Sequence, residues 1–308
     1  MALKHVAVIG ECMVELQRKG EHIKQSFGGD TLNTALYLSR LTHQHGIEVS
    51  YVTGLGNDSF SRDMLTAWQQ EQINTDLVFQ LEDKKPGLYL IETDETGERT
   101  FHYWRNDSAA RYWLNNIDSH SFIEQLSNFE MIYLSGISLA ILPDEAREKL
   151  YQVLEACKQQ GSQIVFDNNY RPHLWPNADI AAKHYQRILT LTDTALLTFD
   201  DELMLYGEHS IDDCIARSQQ CGVSEIIIKR GADDCLVVTN EGCTSVAATR
   251  VNNVVDTTAA GDSFSAGYLA KRLTGGDMQQ SALNAHKLAG TVIQHQGAII
   301  PHDAMPNL

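Results

Sequence analysis

From about residue 131 onward, short runs of buried-type residues alternate with longer amphipathic segments, and this alternation constrains the fold most. Segments of helical length and spacing, such as residues 143–160 and 211–221, separate the earlier runs. Strands that alternate with helices form a mainly parallel sheet with helices on both faces. We therefore predict an α/β protein with three layers, α/β/α. The predicted strands are residues 131–135, 163–168, 195–198, 225–229 and 234–239.

The N-terminal half adds two predicted hairpins to this pattern. Apolar and polar residues alternate on either side of polar turns at residues 18–21 and 94–98. Polar-tipped hairpins that interrupt a parallel sheet form a separate, smaller β element. We predict that residues 12–28 and 86–106 build a small β-sheet lid, inserted in one α/β domain that spans residues 1–308.

The charge balance restricts the classes of partner. The chain carries 24 Lys and Arg against 40 Asp and Glu, a formal net charge of −16. Binding to a nucleic-acid backbone depends on Lys and Arg, so we expect no nucleic-acid partner. A small anionic substrate is compatible with this charge, provided that basic side chains make its site locally positive.

The sequence contains no apolar run close to the roughly 20 residues of a membrane helix. The N-terminal apolar run is shorter than a signal-peptide core and is not followed by a small-residue cleavage site. The six cysteines include no Cys-x-x-Cys pair. We therefore expect a cytoplasmic protein with reduced thiols and no membrane partner.

Residues 256–267 read Asp-Thr-Thr-Ala-Ala-Gly-Asp-Ser-Phe-Ser-Ala-Gly, and this segment carries the most specific chemistry. The small residues Ala259, Ala260 and Gly261 let backbone N–H groups approach an anion, and a helix predicted to begin at Asp262 points its positive end there. Asp262 could alternatively be a helix N-cap. The tract of small residues exceeds what capping requires. Amides beside a carboxylate that can take a proton describe a phosphoryl-transfer site.

The second hairpin offers a complementary site. Because strand side chains alternate between faces, Tyr89, Tyr103 and Arg105 can converge under the lid. Arg171, predicted to follow a strand end, adds a second guanidinium. Two such groups suit a carboxylate, whereas a neutral sugar has less need of them. The alternative is an exposed hairpin with a scattered aromatic face.

These segments together resemble the ribokinase-like (PfkB) carbohydrate kinases. Residues 256–262 are similar to the family signature Asp-Thr-x-Gly-Ala-Gly-Asp, and residues 28–35 to the signature Gly-Gly-x-x-x-Asn-x-Ala. Residues 167–171 and 229–233 stand where the family has a strand end and a nucleotide loop. Within the family the chain is most similar to the bacterial 2-keto-3-deoxygluconate kinases. The supporting segments are residues 86–89, 103–106, 134–137 and 256–262.

The resemblance implies a ribokinase-like catalytic domain that uses ATP and Mg²⁺ to phosphorylate the terminal hydroxyl of 2-keto-3-deoxygluconate. A neutral-sugar kinase of the fructokinase or ribokinase type is the alternative, and a non-catalytic sugar-binding protein is a more distant one. The implied catalytic groups are the Asp262 base and the amides of Ala259, Ala260 and Gly261. The implied sugar-acid contacts are Gly29, Asp30, Asn33, Tyr89, Tyr103, Arg105, Arg171 and Asp262. The implied ATP contacts are Asn169, Arg171, Lys229, Arg230, Gly231, Ala259 and Gly261.

The chain departs from the family pattern at several places, among them the anion loop and the motif that helps to organise Mg²⁺. Ala259 replaces a glycine, and we expect its φ to be negative so that a Cβ is tolerated. Thr198 and Asp201 replace an Asn-x-x-Glu motif that helps to organise Mg²⁺, which leaves the relevant carboxylate open between Asp201 and Glu202. Exposed hairpin sheets often pair edge to edge, so we also expect a homo-oligomer, for which a lid-mediated dimer is the simplest form.

Overall fold

Fourteen strands and ten α-helices lie within residues 4–20, 22–93, 99–207, 209–248 and 250–308, which the computed structural model describes. The strands are β1 (Lys4–Ile9), β2 (Met13–Lys19), β3 (His22–Gly28), β4 (Ile47–Leu55), β5 (Ile73–Asn74), β6 (Val78–Gln80), β7 (Gly87–Thr93), β8 (Arg99–Trp104), β9 (Met131–Ser135), β10 (Gln163–Asp167), β11 (Thr194–Thr198), β12 (Glu225–Lys229), β13 (Cys235–Thr239) and β14 (Gly242–Val246). The helices are α1 (Asp30–Thr42), α2 (Ser59–Gln70), α3 (Ser119–Leu126), α4 (Gly136–Ala140), α5 (Asp144–Gln159), α6 (Ala178–Leu191), α7 (Phe199–Tyr206), α8 (Ile211–Gln220), α9 (Ala260–Leu273) and α10 (Met278–Val292).

The larger sheet runs in the order β14-β13-β12-β11-β10-β9-β1-β4-β5, with β6 beside β4. Its strands pair in parallel from β12 to β5, and β13 and β14 add an antiparallel edge. The central strands are apolar because both of their faces are covered. One apolar core packs α3, α5, α6, α7 and α8 on one face, and the other packs α1, α2, α9 and α10 on the opposite face. The predicted three-layer α/β/α arrangement is confirmed.

The smaller sheet has the order β3-β2-β7-β8 within the described chain. Each hairpin is antiparallel, and β2 joins them by pairing in parallel with β7. One face carries a small apolar cluster of Met13, Tyr89 and Ile91. The predicted turn at residues 94–98 lies outside the described residues, as does Glu21 of the first turn.

Several boundaries differ from the predicted ones by a few residues. The helix predicted to begin at Asp262 begins earlier, at Ala260, and the strand predicted at residues 163–168 ends at Asp167. Asp58 accepts a hydrogen bond from the Ser61 amide at 3.1 Å and so caps α2. All six cysteines are free. In the described part of the chain, no helix combines the length and apolarity needed to cross a bilayer.

Candidate active site

A cavity of about 430 Å³ lies between the carboxyl ends of the central strands and the inner face of the smaller sheet. Its floor includes Asp167 at the end of β10, Thr198 at the end of β11 and Lys229 at the end of β12. Its roof includes Tyr89 and Tyr103 of the smaller sheet. Ligands of parallel α/β sheets bind at this edge of the sheet.

A second cavity of about 780 Å³ adjoins the first. Apolar side chains, among them Val251, Val254, Phe264 and Ile293, form part of its wall. The residues common to both cavities are Thr198, Lys229, Thr257, Ala260 and Gly261. The two cavities therefore meet at the N-terminus of α9, where a group held in one can reach a group held in the other.

Asp262 lies in the first turn of α9 and lines the first cavity. Asn33 of α1 donates a hydrogen bond from Nδ2 to Asp262 Oδ2 at 2.8 Å. Burial, with the nearby charges of Asp30 and Asp167, raises the pKa of Asp262 to about 8, against the opposing effects of the Asn33 hydrogen bond and Lys229. A carboxylate whose pKa is near neutral can take a proton from a hydroxyl and release it again.

The residue before α9 has a left-handed backbone. Ala259 has φ 61° and ψ 16°, so the expectation of a negative φ is wrong. Its carbonyl accepts hydrogen bonds from the Ser263 amide at 2.9 Å and the Ser263 hydroxyl at 2.7 Å, which hold the turn. The Ala260 amide donates to the Thr257 carbonyl at 3.1 Å. Of the three predicted anion-binding amides, that of Ala260 is therefore already engaged within the loop.

The start of α1 supplies the polar groups beside Asp262. Gly29 precedes the helix, and a Cβ there would collide with the Glu11 carbonyl oxygen, so the close approach of the two segments requires glycine. Asn169 donates from Nδ2 to Asp30 Oδ2 at 2.7 Å. Asn33 Oδ1 is buried and has no hydrogen-bond partner, so it is available to a ligand hydroxyl.

The smaller sheet brings Tyr89, Tyr103 and Arg105 to one wall of the cavity, as its alternation predicts. The Tyr89 and Tyr103 ring centroids are 5.7 Å apart. The Tyr89 hydroxyl donates to the Glu15 carboxylate, and the Arg105 guanidinium donates to the Glu11 carboxylate. Sequence reasoning missed both glutamates. The signal for Glu11 was its place directly after β1 and Gly10, at the edge of the sheet where ligands bind.

Among the described residues, the three Lys and Arg side chains that line the first cavity all lie beside carboxylates. The pairs are Arg105 with Glu11, Arg171 with Asp201 at 3.7 Å and Lys229 with Asp167 at 2.7 Å. Asp30 and Asp262 bring the lining carboxylates to five. These three basic side chains therefore do not by themselves give the site a net positive charge, because each lies beside a carboxylate.

Comparison with known proteins identifies the family. The model described as pfkB family carbohydrate kinase matches residues 3–305. The chain belongs to this family. A curated 2-dehydro-3-deoxygluconokinase from Dickeya dadantii (strain 3937) is 54% identical over 309 residues, which cover 99% of this chain and 100% of the relative. A protein of the same name from Escherichia coli (strain K12) is 53% identical and covers 98% of this chain and 99% of its own length.

The fold also matches solved structures. The crystal structure of fructokinase with bound ATP from Xylella fastidiosa has a TM-score of 0.84 to this chain at 22% identity. The match covers 98% of this chain and 95% of that one. The ribokinase-like fold and the pfkB-family resemblance read from the sequence are both confirmed.

The sequence of this pfkB-family chain leaves open whether Asp201 or Glu202 helps to organise Mg²⁺. The structure places these two carboxylates in different surroundings. Asp201 lines the first cavity and accepts a hydrogen bond from the Tyr170 amide at 3.1 Å. Glu202 is buried, and its carboxylate accepts hydrogen bonds from Asn168 at 3.2 Å and Arg217 at 2.8 Å. Only Asp201 of this pair faces the cavity. Among the described residues, no group of three or more His, Cys, Asp and Glu side chains is placed to hold a metal ion.

The residues that the family pattern assigns to ATP divide between the two cavities. Gly231 lines the second cavity and Lys229 lines both, whereas Asn169 and Arg171 line the first. Arg230 donates from Nε to the Asp234 carbonyl at 2.7 Å and lines neither cavity. The structure thus brings most of the predicted nucleotide residues to the site but leaves the Arg230 side chain beside its own loop.

Proposed function

We propose that this chain is a 2-dehydro-3-deoxygluconokinase, which transfers the γ-phosphoryl group of ATP to the terminal hydroxyl of 2-keto-3-deoxygluconate. The observation that carries the proposal is the identity of 53–54%, over nearly the full length, to curated proteins of that name. The alternative of a neutral-sugar kinase has weaker support, because three curated fructokinases are 24–28% identical to this chain. The geometry also supports the proposal, because two adjoining cavities meet beside the Asp262 carboxylate.

In the proposed reaction, Asp262 takes the proton of the terminal hydroxyl. The hydroxyl oxygen then bonds to the γ-phosphorus as the bond between that phosphorus and the β–γ bridging oxygen breaks, which releases ADP. The amides of Ala259 and Gly261 at the positive end of α9 stabilise the transferring group, while the Ala260 amide holds the loop through its hydrogen bond to the Thr257 carbonyl. Mg²⁺, when bound, neutralises charge on the phosphates, and we infer that Asp201 rather than Glu202 approaches it.

The substrates occupy separate cavities in this proposal. The sugar acid lies in the first, where Gly29, Asp30 and Asn33 face its hydroxyls. Its keto-acid end lies at the opposite wall, with the contacts Tyr89, Tyr103, Arg105 and Arg171. The nucleotide lies in the second, where Lys229 and Gly231 approach the phosphates and the apolar wall packs against the base. This division supports phosphoryl transfer because the Asp262 carboxylate lies close to where the two cavities join.

The decisive experiment is a coupled ADP-release assay with 2-keto-3-deoxygluconate, 2-keto-3-deoxygalactonate, fructose and ribose. We expect turnover with a keto-acid and little with the neutral sugars. Preferential turnover of fructose or ribose would replace the proposal with the neutral-sugar alternative, and no ADP release with any sugar would favour a non-catalytic binding protein. Asp262→Asn should abolish nearly all turnover while the sugar acid still binds, whereas Asp63→Asn, on the exposed surface of α2, should not.

We also infer a cytoplasmic homodimer in which the outer faces of two smaller sheets pack together. Ile23 and Trp104 project from the face opposite Tyr89 and are 57% and 60% exposed. Large exposed apolar side chains on a small sheet favour association. Light scattering should give twice the monomer mass, and Trp104→Asp should lower it. A monomer mass for the unaltered chain would contradict this inference.

A further inference from the structure

The charges that line the first cavity do not by themselves favour binding of the proposed sugar-acid substrate. A sugar acid brings a negative charge into a cavity where, among the described lining residues, five acidic side chains face three Lys and Arg side chains. Even with Asp262 largely protonated at neutral pH, because its pKa is about 8, the four other acidic side chains outnumber the three cations. Arg105 and Lys229 are buried and already paired with Glu11 and Asp167. Burying a further anion requires a compensating positive charge.

His173 is placed to supply that charge. It lines the first cavity and lies in a short 3₁₀ helix, Pro172–Leu174, that follows Arg171. Its ring stacks on Tyr103 with centroids 5.8 Å apart and an interplanar angle of 28°. Of the described residues that line this cavity, it alone has a side chain that can change from neutral to cationic near neutral pH.

The surroundings of His173 keep it neutral in the empty cavity. Partial burial and the positive charges of Arg105 and Arg171 lower its pKa. Glu11 lies beside Arg105 and Asp201 beside Arg171, so the carboxylates nearest the two arginines are engaged with them. An anion that lies between Arg105 and Arg171 offsets the repulsion that these side chains exert on a protonated imidazole.

We propose that His173 is a third contact for the carboxylate of the sugar acid and that it takes up a proton from solvent when that carboxylate binds. This inference rests on the proposed sugar-acid substrate. Binding of the anion and protonation of the imidazole favour each other, since each partner lowers the electrostatic cost of the other. His173 thereby lets a cavity with an acidic balance hold an acidic sugar, and it disfavours neutral sugars, which gain nothing from the added charge.

Proton uptake can be measured directly by calorimetric titration with 2-keto-3-deoxygluconate in buffers of different ionisation enthalpy. The titration uses the Asp262→Asn protein, because Asp262 is the other cavity group with a pKa near neutral. We expect uptake of close to one proton at a pH between the pKa values of the free and bound imidazole. Adding His173→Gln should abolish this uptake. His173→Arg, a permanent cation, should bind the sugar acid without uptake and with an affinity independent of pH.

The affinity of the His173→Gln protein should depend on pH in a defined way. Its Kd should exceed that of the protein with an intact His173 by about tenfold near pH 6, and the two Kd values should converge at higher pH, once the bound imidazole has lost its proton. His120→Gln, whose side chain is 84% exposed on α3, is the matched control and should leave both Kd and uptake unchanged. Unchanged uptake and affinity in His173→Gln would overturn the inference.

The outcome is separable from that of the proposed function. If the unaltered chain releases ADP with 2-keto-3-deoxygluconate and His173→Gln binds it identically, only the role of His173 fails. If the sugar acid binds with His173-dependent proton uptake but no ADP is released, the proposed kinase activity fails while the role of His173 holds. No binding of the sugar acid to the unaltered chain would overturn both.

Discussion

At the scale of single residues, Asp262 combines a chemical role with a cost to stability. Its pKa in the folded chain is about 8, whereas an aspartate in an unfolded chain titrates near 3.9. Between these values the folded state binds the extra proton, so the free energy of unfolding falls as pH rises. The ionisation of Asp262 therefore leaves the free energy of unfolding unchanged below about pH 4 and lowers it most above about pH 8.

Asp262→Asn should therefore stabilise the unliganded protein while it removes turnover. The amide oxygen can still accept the hydrogen bond from Asn33, and the unfavourable ionisation disappears. We expect the Tm difference between variant and unaltered protein to widen as pH rises from 4 to 8, as measured by scanning calorimetry. Asp63→Asn should show no such widening. A variant that loses Tm relative to the unaltered protein as pH rises would contradict the assigned pKa direction.

Glu11 makes a second prediction at this scale. Its side chain is buried and accepts hydrogen bonds from Arg105 and Ser108. Glu11→Gln leaves Arg105 as a buried cation without its counter-charge, and breaking a buried ion pair costs about 3–5 kcal/mol. The Tm of the unliganded protein should fall, and 2-keto-3-deoxygluconate should raise it more than in the unaltered protein because its carboxylate replaces the missing charge.

Differential scanning fluorimetry with and without the sugar acid measures both shifts. Glu124→Gln, with a side chain 67% exposed on α3, should match the unaltered protein. A ligand-induced shift in Glu11→Gln no larger than that of the unaltered protein would show that the substrate carboxylate does not compensate Arg105.

At the scale of elements, the features that could be predicted from the sequence are those that depend on periodicity within one segment. The strands of the larger sheet and the convergence of Tyr89 with Tyr103 follow from alternation within each segment. The Glu11–Arg105 pair joins residues 94 positions apart, so only the assembled fold brings it together. The left-handed backbone of Ala259 depends on hydrogen bonds from Ser263, and alanine itself gives no sign of that conformation.

The turn before α9 makes a prediction about an element. A left-handed backbone costs an alanine about 1–2 kcal/mol, whereas a glycine adopts it freely. Ala259→Gly should keep turnover within about threefold and keep or raise Tm, since the relieved strain offsets the greater entropy of the unfolded chain. Ala259→Val should lower both, because a β-branched residue tolerates positive φ poorly. Ala67→Gly, inside α2, is the matched control, and it should lower the free energy of unfolding by about 1 kcal/mol. A Tm loss in Ala259→Gly equal to that in Ala67→Gly would refute the strained conformation.

At the scale of the whole molecule, the net charge of −16 and the acidic balance of the cavity act in the same direction on an anionic substrate. The field around the protein repels the sugar acid, and recognition depends on short contacts inside the cavity. Salt screens repulsion between separated charges and weakens buried contacts much less. We therefore expect kcat/KM for the sugar acid to rise as the salt concentration rises.

We expect kcat/KM for 2-keto-3-deoxygluconate to rise about two- to threefold between 20 and 200 mM salt, at saturating MgATP, as the Debye length shortens from roughly 20 Å to 7 Å. Tetramethylammonium chloride avoids specific effects of small cations, and sucrose of matched osmolality controls for water activity. A site that attracts its substrate with a net positive field would show the opposite slope. A steep fall of kcat/KM with salt would mean that Arg105, Arg171 and Lys229 act as free cations toward the incoming substrate, in conflict with their pairing in the structure.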